Sequence, residues 1–350
     1  MGRELTIDGY TIADDNDCFV IAEIGHNHQG SVEKAKELFV AAKNCGANAV
    51  KLQKRDNPSL FTKEMYDSPY DNRNSFGETY GEHREYLEFG RAEYVDLKAF
   101  AEELGITFFS TAFDIPSADF LAELDMPAYK IASGDLQNTP LIKHVAGLGK
   151  PMIVSTGGGS MDDVEHAYDT VMPINSQLAI LQCTSGYPSE FHELNLRVIE
   201  NFRERFPDTP IGLSSHDNGI SMAVVAYVLG ARVVEKHFTL NRAWRGTDQA
   251  FSLEPNGLRR MIRDLQRARV ALGDGIKLAY ESEKPPMRKM AKKIVAARDL
   301  PKGHMLTAKD VAFKCPGDGL PPCEVERVLG KTILKPFVQD EGVEWDHLGD

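Results

Sequence analysis

The sequence predicts an α/β chain: a closed (β/α)8 barrel followed by a small β-rich domain. Three observations lead there. Eight short apolar runs, rich in β-branched and aromatic residues, alternate with amphipathic helical stretches from residue 19 to about residue 272, the pattern of parallel strands joined by helices. Each run starts apolar and ends polar or glycine-rich, as expected of a barrel with a packed interior and a ligand-facing carboxyl rim. Beyond residue 290 the rhythm gives way to short strand-like pieces broken by Pro301-Lys302-Gly303 and Pro316-Gly317-Asp318-Gly319, which are turn sequences.

In chain order the eight runs are FVIAEIG from Phe19, AVKLQ from Ala49, ITFFSTA from Ile106, AYKIASG from Ala128, PMIVSTG from Pro151, LAILQCT from Leu178, IGLSSH from Ile211 and VVEKHFT from Val233. Eight units of one polarity point to closure; an open doubly wound sheet ranks second, because it more often shows fewer strands and one dominant glycine fingerprint. Residues 55–90 break the rhythm with polar and aromatic residues and no clear period, and read as an insertion over the barrel mouth. Residues 273–290, with GDG and EKPP, read as a linker. The expected domains are therefore a barrel over 1–272, a linker over 273–290 and a β-rich domain over 291–350. A chain of 350 residues accommodates one barrel of roughly 250 residues with a smaller companion.

The formal charge is −12, which repels the phosphate backbones and anionic lipids that basic surfaces attract, so neither nucleic acid nor membrane is an expected partner. Five cysteines, Cys18, Cys45, Cys183, Cys315 and Cys323, form no CxxC pair and suit a reducing cytosol with buried thiols. Asp14, Asp15 and Asp17 stand near the start where a leader would be basic, and no stretch reaches the ~18 apolar residues of a membrane span. A cytoplasmic enzyme is the expectation.

The polar strand ends carry the chemistry. They are Glu23; Lys51 and Gln53; Ser110 and Thr111; Lys130, Ser133 and Asp135; Ser155 and Thr156; Thr184, Ser185 and Tyr187; Ser214 and His216; and Glu235 and His237. Two lysines and several hydroxyls beside Gly134 and Gly157 to Gly159 suit a phosphorylated anion, since ammonium groups and exposed amides neutralise phosphate oxygens. His216 and His237 end, or nearly end, the seventh and eighth runs. Two neutral imidazoles on adjacent strands can hold a first-row divalent ion with carboxylate, water or substrate oxygens completing the shell. Glu23 is the nearest carboxylate candidate, because the first strand closes the barrel beside the eighth, and Glu235 shares the side of its strand with His237. His26 and His28, in EIGHNHQG, are alternative ligands; placed on the first loop, they suit hydrogen bonds to substrate or a helix cap better. The glycines at 157 to 159 alone are a weak phosphate signal, and no Walker A or GxGxxG motif is present.

At these residues the sequence resembles the sialic acid synthase family, whose members include N-acetylneuraminate, legionaminate and spore-coat synthases. The resemblance runs through AEIGHNHQGS, AVKLQK, YGEHREYLEF, YKIASGD, IVSTGG, LQCTSGYP, IGLSSHDNG, VVEKHFTL and SLEP, and the last ~60 residues resemble the family's antifreeze-like SAF domain. It implies phosphoenolpyruvate contacts at Lys51, Thr111, Lys130, Ser133, Ser155 and Ser214, sugar contacts at Gln53, Asp135, Tyr187 and Asp248, and a divalent metal, Mn2+ ahead of Mg2+ or Co2+, on His216 and His237. It also implies a homodimer in which each C-terminal domain leans over the partner's barrel. Two departures stand out: Ser185 replaces an Asn frequent in bacterial members, and Lys314-Cys315-Pro316-Gly317 replaces Lys-Arg-Pro-Gly, removing the Arg expected to reach the sugar across the dimer. TYGEH and CTSGYP look closer to the animal-type branch, which accepts a 6-phosphorylated sugar.

The implied reaction condenses phosphoenolpyruvate with an open-chain N-acyl hexosamine, N-acetylmannosamine or its 6-phosphate, releasing inorganic phosphate. Glu23 or Glu235 is the candidate for handling the proton of the attacking water, with a pKa that the metal and Lys51 tend to lower. Alternatives are a legionaminate, pseudaminate or spore-coat synthase of the same family, a metal-dependent barrel aldolase, and a C-terminal ice-binding or carbohydrate-binding module carried on a scaffold barrel.

Overall fold

Alternation along a strand sends successive side chains to opposite faces, and in the computed structural model, which describes residues 2–350, that parity sorts the whole first unit. After a hairpin of β1 (Glu4–Ile7) and β2 (Tyr10–Ala13) come eight parallel strands: β3 (Phe19–Gly25), β4 (Ala49–Lys54), β5 (Thr107–Ala112), β6 (Tyr129–Ile131), β7 (Met152–Ser155), β8 (Leu178–Cys183), β9 (Ile211–Ser215) and β10 (Val233–His237). They close in sequence order, with β10 pairing β3. The expected closed barrel and its eight strands are present.

Val20, Ala22, Val50, Phe108, Tyr129, Val154, Ile180, Leu213 and Val234 face outward into one large core against the helices. The opposite parity faces inward. Phe19, Ile21, Ala49, Phe109, Ala128, Ile153, Ala179, Leu181 and Val233 form a second buried cluster, and Leu5, Ile7 and Ile12 of the hairpin belong to it. The hairpin thus stoppers the amino end of the barrel. Burial at this level contributes roughly 1.5–3 kcal/mol per large apolar side chain. Gly212 of β9 shares the layer, and a Cβ there would meet the Val233 carbonyl oxygen at 2.5 Å and the Leu181 side chain, so only glycine fits.

The helices follow ordinary rules. Val32–Cys45 starts where the Ser31 hydroxyl accepts the Lys34 amide at 3.2 Å, buries Ala35, Leu38, Phe39, Ala42 and Cys45, and ends at Gly46 with φ 92°. The irregular stretch 55–90 contains short helices, Asn57–Leu60, Lys63–Asp67 and Tyr80–Leu87. Their aromatic residues pack on one another: Tyr70 lies 5.2 Å from Tyr80, and Phe76 stacks on Tyr86 at 5.0 Å.

A second unit spans Asp274–Asp350. Part of the expected linker is ordered as a 3-10 turn, Glu281–Glu283, and a helix, Lys284–Met290. Two small antiparallel ladders follow, β11 (Lys293–Ala296) with β12 (Val311–Lys314) and β13 (Thr332–Ile333) with β14 (Leu348–Gly349). They surround a core of Ile294, Leu300, Leu306, Val328, Ile333, Phe337 and Val343. Buried Asp310 ties this unit together, accepting from Arg298 at 2.7 Å, His304 at 2.9 Å and the Thr307 hydroxyl at 2.6 Å. Desolvation alone would raise its pKa, but these bonds hold it well below the usual carboxylate range. Among the described residues no helix is long and apolar enough to cross a membrane.

Candidate active site

Two residues beyond Ile21, Ala49, Phe109, Ala128, Ile153, Leu181, Gly212 and Val233, the inward parity continues with Glu23, Lys51, Thr111, Lys130, Ser155, Cys183, Ser214 and Glu235. The parallel register sets Glu23 level with Lys51 on one side and His237 on the other, and Ser214 level with Glu235. All eight line a cavity of about 580 Å³ at the carboxyl ends of the strands, together with Gln53, Ser133, Tyr187, His216, His237 and Asp248. Of the polar strand ends singled out in the sequence, Ser110, Thr156, Thr184 and Asp135 do not reach it. The strand β6 ends at Ile131, and a 3-10 turn over Ser133–Asp135 breaks the alternation. The Asp135 carboxylate instead accepts the Asn138 side-chain amide at 3.0 Å.

The floor is a buried charge cluster. Lys51 Nζ lies 2.5 Å from Glu23 Oε2, donates to Thr111 Oγ1 at 2.7 Å and sits 3.8 Å from Glu235 Oε1. Lys130 Nζ is 3.7 Å from the same Glu235 oxygen, and the Ser214 hydroxyl donates to it at 3.3 Å. The two carboxylates end up unlike each other. Burial pushes Glu23 up to about 7 against the pull of Lys51, opposite to the lowering expected from the sequence. For Glu235 burial acts in the same sense, yet Lys130 and Lys51 overcome it and the pKa is lowered. Burial also lowers Lys130. Ser155 Oγ and Glu235 Oε2 are buried without a hydrogen-bond partner, a cost that a bound polar ligand relieves. Beside them Gly157 donates its amide to Ser133 Oγ at 3.0 Å; a Cβ there would meet that oxygen at 2.9 Å and collide with Ser185.

The two histidines meet across the rim with ring centroids 5.4 Å apart. His216 Nδ1 faces the Thr184 carbonyl at 2.9 Å; that bond requires Nδ1–H and leaves Nε2 as the lone-pair nitrogen. His237 Nδ1 is buried without a partner, and burial holds this imidazole neutral, with Asp248 acting weakly in the other direction. The carboxylate next to the pair is Asp248, 4.0 Å from His237 Nδ1. Glu23, the expected one, is taken up by Lys51 and by Gln53, whose amide donates to it at 2.8 Å. Among the described residues no three His, Cys, Asp or Glu side chains form a ready metal cluster. The protein's donor set for an ion is thus two imidazoles. Tyr187 and Phe251 shield them at ring distances of 4.2 Å and 5.1 Å.

The other histidine pair has a different role. His28 stacks on Phe89 at 4.1 Å and its Nδ1 accepts the Gly30 amide at 3.1 Å, ahead of the helix, whose cap is Ser31. His26 lies between two guanidinium groups, Arg55 and Arg84, surroundings that repel a metal ion. Both arginines line the cavity, as do Cys183 and Phe113, and the sequence reading passed over all four. Arg55, Phe113 and Cys183 were within reach of parity, continuing Lys51-Gln53, Phe109-Thr111 and Ala179-Leu181; Arg84 lies on a helix of the insertion and gives no such signal.

The NeuB family matches residues 38–277 and the SAF domain residues 293–349. The chain is 39% identical to human N-acetylneuraminate-9-phosphate synthase over 96% of this chain and 94% of that protein. It is 34% identical to N,N'-diacetyllegionaminic acid synthase of Legionella pneumophila over 95% of this chain and 94% of the relative. Among solved structures, the N-acetylneuraminic acid synthetase of Leptospira borgpetersenii superposes with a TM-score of 0.71 at 31% identity, covering 82% of this chain and 96% of that one. An eight-stranded barrel with this polar floor, followed by an SAF domain, therefore has a family: the chain is an enzyme of the NeuB family.

Proposed function

We propose that the enzyme condenses phosphoenolpyruvate with the open-chain form of an N-acyl hexosamine, N-acetylmannosamine or its 6-phosphate, yielding a nonulosonic acid and inorganic phosphate. The observation that carries this reading is one cavity that holds two buried lysines, the unpartnered Ser155 hydroxyl and Glu235 oxygen, and the imidazoles of His216 and His237. Lys51, Thr111, Lys130, Ser133, Ser155 and Ser214 bind the phosphate and carboxylate of phosphoenolpyruvate, offering ammonium groups and O–H donors where charge is greatest. Gln53, Tyr187 and Asp248 orient the sugar so that its aldehyde carbon faces C3 of the enol.

The new bond forms between those carbons, water adds at C2, and the tetrahedral intermediate expels phosphate. Glu23, raised to about 7, takes the proton of that water at Oε2 and holds it beside Lys51. Lys130 and Ser155 hold the departing phosphate. His216 and His237 would hold a divalent ion, Mn2+ ahead of Mg2+ or Co2+, which when bound supplies Lewis acidity toward the aldehyde oxygen. We also propose a homodimer, supported by Val270, Ile276, Leu278 and Tyr280, each at least half exposed and suited to cover by a second copy.

Phosphate release from phosphoenolpyruvate, assayed against a panel of N-acyl hexosamines and their 6-phosphates, tests the reading. Release that depends on an N-acyl mannosamine supports it. Carbon–carbon bond formation without phosphate release would instead indicate an aldolase.

A further inference from the structure

One corner of the cavity carries positive charge that the condensation of phosphoenolpyruvate does not use. Arg55 follows Lys51 and Gln53 at the same parity, and Arg84 comes from the helix Tyr80–Leu87 of the insertion; both line the cavity beside Gln53, Phe113 and Asp248. Arg55 is 8% exposed, stands over the Phe113 ring with Cζ 3.8 Å from its centroid and donates to Gln53 Oε1 at 2.8 Å. Arg84 is held by the Tyr80 hydroxyl, which accepts from Nε at 3.0 Å and from Nη2 at 2.7 Å.

His26 shows that these donors are unsaturated. Arg55 Nη1 approaches its Nε2 at 3.3 Å and Arg84 Nη1 approaches its Nδ1 at 3.4 Å. A neutral imidazole has one acceptor nitrogen and one N–H, so one of the two guanidiniums faces a donor. Glu88 Oε1, 3.5 Å from His26 Nε2, favours the proton on Nε2, which leaves Arg55 Nη1 without an acceptor on the ring. Glu88 does not make up the deficit: Oε2 pairs with Lys54 at 3.0 Å, and Oε1, 3.9 Å from Arg55 Nη1, is beyond hydrogen-bond distance. No carboxylate forms an ion pair with Arg84 among the described residues. Asp248 and Asp135 also act on this corner, but neither forms an ion pair with Arg55 or Arg84.

We propose that Arg55 and Arg84 form a phosphate subsite for the sugar, so that the acceptor is the 6-phosphate of the N-acyl hexosamine and not the free sugar. The inference rests on the function proposed above. The chemistry fits a phosphomonoester dianion: two adjacent planar forks present N–H groups for bidentate contact, and a dianion relieves the repulsion between them. The pair flanks Gln53 and Asp248, which take the body of the sugar, whereas the lysine cluster below is committed to phosphoenolpyruvate. One cavity then holds two phosphate sites of unlike construction, ammonium and hydroxyl at the floor and guanidinium at the mouth.

The test compares kcat/KM for N-acetylmannosamine 6-phosphate and for N-acetylmannosamine, at saturating phosphoenolpyruvate, in the wild type, Arg84→Gln, Arg55→Gln and Arg84→Lys. The wild type should prefer the phosphorylated acceptor. Arg84→Gln and Arg55→Gln should each reduce the ratio by at least about tenfold, the loss of one charge-assisted hydrogen bond, mainly through KM. Arg84→Lys should restore part of it. Because the ratio is taken on one preparation, a general loss of folded enzyme cancels, and half-buried Arg84 serves if Arg55→Gln does not fold. A ratio unchanged in folded Arg84→Gln overturns the proposal. If the wild type turns over neither sugar, the proposed function fails, and calorimetric binding of the two sugars decides the subsite alone: tighter binding of the phosphorylated sugar, lost in Arg84→Gln, supports it, and equal affinities overturn it.

Discussion

At the amino end of the barrel Ile21, Phe109, Ile153 and Leu181 close against Leu5, Ile7 and Ile12; two residues further along the same strands Glu23, Thr111, Ser155 and Cys183 occupy the same inward positions. The backbone is shared and the energetics are opposite. The lower layer has no polar atom to satisfy. The upper layer leaves Ser155 Oγ, Glu235 Oε2 and His237 Nδ1 buried and unpartnered, each a destabilising feature of about 1–3 kcal/mol. A cavity of about 780 Å³ also opens at the amino end, lined by Thr6, Asp8, Lys98, Thr107 and Lys150 among others, but none of its lining residues has an orphaned buried atom. Size alone does not mark the site; unmet hydrogen bonding does.

The contrast predicts that stability and turnover can be separated by layer. Phe109→Ala, fully buried in the lower layer, should cost ~3–5 kcal/mol in chemical denaturation while kcat/KM of the folded fraction is kept; a large kinetic loss would break the division. Lys130→Met, in the upper layer, should lower phosphate release by about 10²–10³-fold with a thermal midpoint unchanged or raised, since a buried cation is replaced by an apolar chain of similar length. Chelation should abolish turnover, and Mn2+ should restore it, with no comparable change in the unfolding midpoint; turnover that persists in metal-stripped buffer would remove the ion from the reading.

Asp310→Asn extends the comparison to the C-terminal unit, where a buried carboxylate is fully bonded instead of orphaned. It should destabilise that unit by ~1–3 kcal/mol, seen as earlier loss of amide-exchange protection there, and leave kcat on the barrel intact. Because its folded pKa is depressed, the stability it contributes is present above the ordinary carboxyl value and is lost as the pH falls below it. Glu23 has the reverse sign. Its folded pKa is raised to about 7, so between the ordinary carboxyl value and 7 the folded state holds the extra proton and stability declines as the pH rises. Glu23→Gln should flatten that slope and remove the pH–rate limb near 7; an unchanged profile would assign the proton to another group.

Much of this was legible in the sequence because barrel strands carry their layer in their order of residues: an apolar start and a polar end, two residues apart on one face, as in Ile21 and Glu23 or Val233 and Glu235. The N-terminal hairpin was not legible. ELTI and YTIA are four residues each, too short to show a period, and their role as a stopper depends on a barrel end that exists only after closure. Asp135 was assigned a sugar contact by the resemblance and not by alternation, and the 3-10 turn beyond Ile131 turns its carboxylate to the Asn138 amide, outside the cavity lining. Arg84 lies about thirty residues from the strand it serves, on a helix whose position over the mouth is set by tertiary packing. The pKa of Glu23 could not be read either, since the presence of Lys51 was visible but the depth of burial that outweighs it was not.

The hairpin stopper also has a consequence for traffic. With Leu5, Ile7 and Ile12 packed into the amino end, everything that reacts and everything that forms must pass the one mouth. The lysine floor lies beneath, with Lys51 2% and Lys130 3% exposed, while Tyr187 at the rim is 57% exposed. On the reading proposed here, the enol must be seated before the sugar closes the passage above it, and phosphate set free at the floor leaves only after the long product has cleared the doorway. A blind-ended barrel thus writes an order of arrival and departure into a reaction whose chemistry alone does not require one.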